Sequence, residues 1–491
     1  MTVISTALFL VGIDMTVLYT ALPILTHALQ ASNSEKLWVI NAYPLAMAGL
    51  LLGLGTLGDR IGHRRIFMVG LFLFGLASLG AAFSPTVDIL IATRALLAIG
   101  AAMMLPASLS LIRQTFATDQ ERAVAIGVWG AVFSGAAAVG PLIGGILLSK
   151  FWWGSIFLIN VPVVVVALLL APLLIPNVPG NPKRVWDPLS SLIVMVALVG
   201  LTYALMEVAK PAPNGLDAAI ALLIGIVFMT WFVVRQNRSA SPTVDFALFR
   251  SSGFLGGILA ILAGMVALIG VQLMLLQRLQ LVFGFSPLQA ALFIIPMSVA
   301  SFVSGPLLSA VLLRLGVERG ISITLLIGAA GLAGLAYFEH ASLALQLVSL
   351  IVFGFGGGAS ASASSTAVMI NTTDDKAGMA ASIEGVSFEF GGVIGIAVMG
   401  SIATYIYSSS IVLPHDFLNA DRARDSIDQA FLLAEHLNAE AAQQLVAHAK
   451  AAFDLAYLGV MLAGAAIMGL LGVVFALVKP SKAINHRARE Y

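Results

Sequence analysis

Residues 37–84 read LWVINAYPLAMAGLLLGLGTLGDRIGHRRIFMVGLFLFGLASLGAAFS. Two apolar runs, 37–57 and 66–84, flank a short turn holding Asp59, Arg60, His63, Arg64 and Arg65. Each run is close to the ~20 residues that carry an α-helix across a bilayer. Gly58 and Gly62 permit a tight turn between them. Asp59 suits the positive N-terminus of a neighbouring helix. The arginines suit the headgroups at one membrane face.

The same pattern extends along the whole chain. Fourteen long apolar stretches hold very few charges, and the rest of the charges fall in the gaps. The 491 residues are 59% hydrophobic and 10% charged, against about 25% charged in soluble domains. The expected fold is therefore all-α and integral to a membrane. Net charge is +1 and the basic residues form short loop clusters, so no nucleic-acid stripe is expected. There is no cysteine, which excludes thiol redox chemistry, disulfides and Cys-bound metals. The seven histidines lie in loops or at helix ends with no ligand spacing, and read as surface residues. No metal or cofactor is expected. No G-x-x-x-x-G-K-[ST] run marks an ATP site, and no nucleophile constellation marks an enzyme. The first apolar run starts almost at Met1, lacks a basic lead-in and contains Asp14, so no cleavable signal peptide is expected.

Lys and Arg set the orientation. With the N-terminus inside, the inner loops carry Arg60, Arg64, Arg65, Arg113, Arg122, Lys183, Arg184, Arg235, Arg238, Arg250, Arg314, Arg319 and Lys376, plus Lys479, Lys482, Arg487 and Arg489 of the tail. The outer side takes Lys36, Lys150, Lys210, Arg278, Arg422, Arg424 and Lys450. Both termini are then cytoplasmic. Every lysine sits at a span end or in a loop, which argues against a proton-pumping respiratory subunit with mid-membrane lysines.

An internal repeat falls at an offset of 254: Arg60, Gly62, Arg65 and Gly100 map onto Arg314, Gly316, Arg319 and Gly354. It predicts a six-helix half at 1–182, two linker helices at 183–240, and a second six-helix half at 241–491 with an outer loop at 408–453. Parallel halves around a midplane site form a transporter architecture.

The motifs sharpen this reading. Gly55, Leu57, Asp59, Arg60, Gly62, Arg64 and Arg65 give the spacing G-x-L-x-D-R-x-G-x-R-R, which resembles the signature of the major facilitator superfamily and implies an inner gate. Span five carries Gly127, Ala136, Gly140, Pro141, Gly144 and Gly145. Small residues let helices approach closely and Pro141 bends the helix. The G-P-x-x-G-G ending resembles the antiporter motif of proton-driven exporters, with Ala136 where that motif has Gly. In span one, Asp14 precedes Ala21-Leu22-Pro23, similar to the first span of the 14-span drug:proton antiporters. Phe157-Leu-Ile-Asn160-Val-Pro162 resembles that family's F-L-I-N-x-P. Span four offers Arg94, Gly100 and Pro106, but Leu97 and Ala98 replace the family's Gln-Gly. In span thirteen, Glu384 and Glu389 resemble the acidic patch of quaternary-ammonium pumps. Acids that some such pumps carry in spans two and ten align with Asn41 and Ser301.

Charges inside a span each cost roughly 2.5–3.5 kcal/mol near the bilayer centre on insertion scales, so Asp14, Arg94, Glu384 and Glu389 are the candidates for proton and cation coupling. Glu207, near a span end, reads as interfacial. Asp14 lies about eleven residues into its span, which places it near the midplane. Glu384 and Glu389 are five residues apart and point about 140° apart on a helix, so one lines the cavity while the other borders it. Each of the four also has a plainly structural reading, as a helix–helix or hydrogen-bonding contact. A carboxyl held out of water keeps its proton more readily, and a bound organic cation expels it. That competition is the expected coupling. Trp38, Tyr43, Trp129, Phe133, Phe302 and Phe388 are candidate cavity walls, since aromatic faces attract cations, and Asn41 and Ser301 join them as polar positions. The loop 408–453 has helical spacing over 426–449 and suggests an outer hairpin.

The resemblance implies a proton-coupled multidrug efflux transporter of the inner membrane. It would be a multi-pass antiporter that exports lipophilic, often cationic drugs, antiseptics and dyes, confers antibiotic resistance, and acts as a monomer. A dedicated exporter of a metabolite or peptide on the same scaffold is the alternative within transport. A membrane sensor or assembly protein is the alternative outside it.

Overall fold

The computed structural model describes all residues except 117, 183–185, 209, 211–212, 240–241, 340, 374–375, 414–418 and 478–491. Lys183, Arg184, Lys479, Lys482, Arg487 and Arg489, and the side chain of Arg314, lie outside the described set. The described residues form helices and connecting turns, with no strand.

In chain order the helices are α1 (Thr2–Leu29), α2 (Asn33–Ile61), α3 (His63–Ala82), α4 (Val87–Thr115), α5 (Asp119–Leu148), α6 (Ser155–Leu158), α7 (Asn160–Leu174), α8 (Pro188–Val208) and α9 (Gly215–Arg238). They continue with α10 (Ser252–Gln277), α11 (Pro287–Leu315), α12 (Val317–Tyr337), α13 (Leu343–Ile370), α14 (Ala377–Ser410), α15 (Ala420–Asp425), α16 (Ile427–Ala434) and α17 (Ala439–Leu477). Among the described residues, thirteen helices are long and apolar enough to cross a membrane. The bent α2, turning by 53° between Leu51 and Gly53, brings the number to fourteen. A glycine-rich stretch permits that bend.

Local chemistry explains the boundaries. Ser32 and Glu35 form a capping box at the start of α2, and Thr118 and Glu121 form another on α5. Gly62 and Gly316 adopt φ of +101° and +86° at the turns entering α3 and α12. These are the equivalent positions of the 254-residue repeat, and both need the left-handed freedom of glycine. Span six breaks between α6 and α7 because Pro162 offers no N–H to the Leu158 carbonyl.

Two compact units are distinguishable. The first comprises Met1–Ser241, Gln272–Ile295 and Ile396–Val460. Within it, α1 packs on α5, α3 on α4, α2 on α4, and α8 on α9. The α8–α9 pair docks on α2 where Gly49 meets Met195 and Gly53 meets Ser191. The second unit comprises Pro242–Val271, Pro296–Gly395 and Met461–Tyr491. There α12 packs on α13 through Gly328, Gly331 and Gly356, and Gly391 and Gly395 of α14 pack on Met265 and Val266.

The segment 408–453 departs from the expected simple hairpin. Its second arm is continuous with the last span, making α17 a single helix of 39 residues, about 58 Å long. Its first arm is α16, whose residues Ile427, Asp428 and Gln429 are buried.

Candidate functional site

In the first unit, Asp14 is wholly buried in α1 and Arg94 is 2% exposed in α4. Arg94 Nη1 donates to Asp14 Oδ2 at 2.6 Å. The guanidinium also donates through Nε to the Val39 carbonyl at 3.4 Å. It lies 4.8 Å from the Tyr43 ring centroid and 5.9 Å from that of Phe157. A guanidinium is planar and weakly hydrated, so it tolerates this sandwich better than an ammonium. Asp14 Oδ1 has no hydrogen-bond partner among the described residues. Two charges that the sequence offers separately therefore form one buried pair, with one carboxylate oxygen unused.

The helix facing Asp14's span is α5. Pro141 cannot donate to the carbonyl four residues earlier, which is that of Ala137. Thr16 Oγ1 donates to this carbonyl at 2.9 Å instead. Thr20 Oγ1 reaches the Pro141 carbonyl at 3.4 Å. Gly140 sits against Thr16, and Gly144 against Val17. A Cβ on Gly145 would come within 2.7 Å of Leu288 Cα. Ala136 is fully packed against Gly12, whose own Cβ would lie 2.8 Å from that of Ala136. The missing glycine of α5 is thus supplied by α1. Gly127, Gly130 and Gly135 face open space.

At the Asp59–Arg65 turn, Asp59, Arg60 and Arg65 are exposed and Gly55 packs on Pro106. Arg64 donates to the Pro172 carbonyl at 3.0 Å. The Asn181 amide donates to the Asp59 carbonyl at 2.8 Å, so the strand of chain after α7 lies over the turn. His63 corrects the reading of all histidines as surface residues: it is 7% exposed and its Nε2 lies 3.1 Å from Asp59 Oδ1.

In the second unit, Glu384 and Glu389 of α14 are both buried, at 9% and 8% exposure. Ser365 of α13 hydrogen-bonds Glu384. Glu389 Oε2 has no hydrogen-bond partner among the described residues. Ser301 is half-buried, with its carbonyl accepting from Ser304 Oγ at 2.9 Å. Phe302 is exposed and Phe388 half-buried.

The aromatic candidates of the first unit divide. Trp129 stacks on Phe133 at 6.0 Å and donates to Ser108 Oγ at 2.8 Å. Tyr43 serves the Arg94 pair. Trp38 instead meets Tyr203 of α8 at 6.2 Å, and Asn41 donates to Met206 Sδ at 3.7 Å. Trp38 and Asn41 thus contact α8.

Sequence reasoning passed over two buried cations. Lys36 and Arg278 read as outer-side charges, yet they are 5% and 2% exposed. Lys36 Nζ pairs with Asp428 Oδ2 of α16 at 2.7 Å and donates to Gln277 at 3.1 Å. Thr26 Oγ1 donates to Asp428 Oδ1 at 3.3 Å. Arg278 pairs with Asp454 at 2.7 Å and stacks 4.2 Å from the Tyr457 ring, within a π-helical turn at Arg278–Val282. Glu207 is likewise buried, bonded to Lys210 and to the Asn214 amide.

The profile of the Major Facilitator Superfamily matches residues 4–396. The chain belongs to this superfamily. Among curated superfamily relatives, it is 38% identical over 96% of both chains to the methyl viologen resistance protein SmvA of Salmonella typhimurium. It is 35% identical to the multidrug efflux pump LfrA of Mycolicibacterium smegmatis, over 92% of this chain and 90% of that one. Among solved structures, a bacterial homolog of the human lysosomal transporter Spinster, in an inward-facing and unoccupied conformation, matches with a TM-score of 0.66. That match has 16% identity and covers 98% of each chain. The superfamily fold, with many apolar spans, makes this a multi-pass membrane protein.

Proposed function

We propose that this superfamily member is a proton-coupled multidrug efflux transporter of the inner membrane. Its cargo would be lipophilic, often cationic compounds. The relatives named for viologen resistance and multidrug efflux support the cargo class. The observation that carries the coupling is Asp14: a fully buried carboxyl, held by Arg94 through one oxygen and unused at the other. Such a group exchanges a proton without rebuilding its surroundings. Glu384 and Glu389 supply further buried carboxyls on α14.

In this reading a proton and a cationic cargo compete for the same acids. Cargo binding expels the proton, and reprotonation from the far side expels the cargo. Net positive charge moving inward gains about 2.3 kcal/mol per 100 mV of membrane potential. The Asp59–Arg65 turn lies on the cytoplasmic side, with both termini, and gates that face. The 1–182 and 241–491 halves alternate access, and 183–240 is an inserted helix pair.

The test is ethidium transport in proteoliposomes under an imposed pH gradient, with Asp14→Asn, Glu384→Gln and Glu389→Gln run beside the wild type. At least two variants should lose gradient-driven export while remaining folded. Full activity in all three, or uphill export without any proton gradient, would sink the reading.

A further inference from the structure

α2 runs from Asn33 to Ile61, so Lys36 lies at the opposite end of this helix from the Asp59–Arg65 turn. Lys36 and Asp428 of α16 are each 5% exposed. Lys36 Nζ donates to Asp428 Oδ2 at 2.7 Å and to Oε1 of Gln277, the last residue of α10, at 3.1 Å. Asp428 Oδ1 accepts from Thr26 Oγ1 of α1 at 3.3 Å. Around this centre the Asn33 amide donates to Asp425 Oδ2 at 2.9 Å, and Asn33 Nδ2 to Thr404 Oγ1 of α14 at 2.7 Å. Gln429 Nε2 donates to the Ala31 carbonyl at 2.9 Å, and Gln280 Nε2 to the Thr20 carbonyl at 3.1 Å. Leu37, 6% exposed, packs on Gly400 of α14, where a Cβ would lie 3.0 Å from Leu37 Cδ2. All of these residues belong to the first compact unit.

The ends of α1 and α2 are therefore fastened to α10, α14 and α16 mainly through polar groups. The α1–α5 and α12–α13 seams close on glycines instead. The difference has an energetic consequence. An apolar contact drawn apart exposes its surface to water and resists opening. A buried ion pair drawn apart regains the hydration that burial removed, so its closed state gains little over an open one. Apolar side chains of similar volume commonly hold a closed state as well or better. A charge pair at a seam thus suits a contact that has to part and re-form.

We propose that Lys36, Asp428 and Gln277 form a releasable clasp, which closes the outer end of the transport path by joining α1 and α2 to α10 and α16. This rests on the orientation and alternating access of the proposed function. In the closed state one ammonium serves the carboxylate of α16 and the amide of α10, and Thr26 takes the second carboxylate oxygen. Opening draws α2 away from α10 and α16 and hands all of these groups to water. No proton is transferred in the step.

The chain has no cysteine, so Leu37→Cys places a single reporter at the seam. In right-side-out vesicles holding the full-length protein, a membrane-impermeant maleimide added outside reads how often the seam opens. Ser78→Cys, at a wholly buried position of α3, reports unfolding instead. Asp428→Asn leaves the Lys36 ammonium without its counter-charge and should speed Leu37→Cys labelling about tenfold, the equivalent of about 1.4 kcal/mol. Lys36→Met/Asp428→Leu puts apolar groups in place of the pair and should slow labelling about fivefold, with ethidium export slowed beside it and Ser78→Cys still unlabelled.

A fixed staple that never parts predicts wild-type labelling in both backgrounds, and that result overturns the proposal. So does a double variant that labels as fast as Asp428→Asn. Export at the wild-type rate beside slowed labelling overturns the place of the clasp on the transport path. Should Asp428→Asn prove unfolded, the double variant decides alone: slowed labelling supports the clasp and wild-type labelling overturns it. Wild-type protein that fails to move ethidium under a pH gradient overturns the proton-coupled reading, while the labelling contrast still decides the clasp.

Discussion

The Thr16 hydroxyl occupies the place in the α5 ladder that Pro141 leaves vacant, donating to the Ala137 carbonyl at 2.9 Å. One helix thus completes the backbone of another. Thr16→Val should cost about 1–2 kcal/mol in denaturant unfolding, the cost of an orphaned buried carbonyl. In a Pro141→Ala background the helix supplies its own donor, and the same substitution should cost little. Equal costs in both backgrounds would show that Thr16 acts by packing alone.

Lys36 and Asp428 form a buried ion pair tying α2 to α16. Lys36→Met leaves an uncompensated carboxylate and should destabilise by about 3–5 kcal/mol. The double variant Lys36→Met/Asp428→Leu should recover most of that. The check is thermal unfolding in detergent, and an additive double variant contradicts the pairing.

Gly62 and Gly127 make opposite predictions. Gly62 has φ +101° and a Cβ there would lie 3.2 Å from the Val178 carbonyl, while Gly127 faces open space. Gly62→Ala should lose about 1–3 kcal/mol through backbone strain. Gly127→Ala should be neutral or slightly stabilising, because alanine favours the helix. Unfolding midpoints of the two variants, measured side by side, test this contrast.

At Asp187, just outside α8, burial is the largest single influence and pushes the carboxyl up, but it is outweighed by several smaller ones acting together. Hydrogen bonds from Arg235 and Ser190 prevail and hold its carboxyl below the usual carboxylate range. A depressed folded value means the contribution is present above the ordinary carboxylate range near pH 4. It is lost as pH falls through the folded value. Acidification should therefore lower the wild-type melting temperature more than that of Asp187→Asn. Parallel pH profiles would remove the contribution.

Much of this was legible in the chain. Span number and type followed from apolar runs, because a bilayer leaves the backbone few alternatives. The positive-φ turns at Gly62 and Gly316 were visible as a repeat. Asp14 and Arg94 were visible as charges, but their pairing depends on the axial register of α1 against α4, which packing sets. For the same reason Trp38 and Asn41 looked like cavity residues: nothing in their own segment says that α8 docks there. Lys36 and Arg278 fell at helix ends, where long side chains normally reach water. Their burial arises from partners 392 and 176 residues away, on α16 and α17.

The contact between Gly12 and Ala136 bears on how such chains are compared. The Ala136 methyl is accommodated because α1 presents only a hydrogen at Gly12, so the seam between the two helices stays closed. A reading of α5 alone marks Ala136 as a departure; a reading of α1 and α5 together shows a close-packed helix pair.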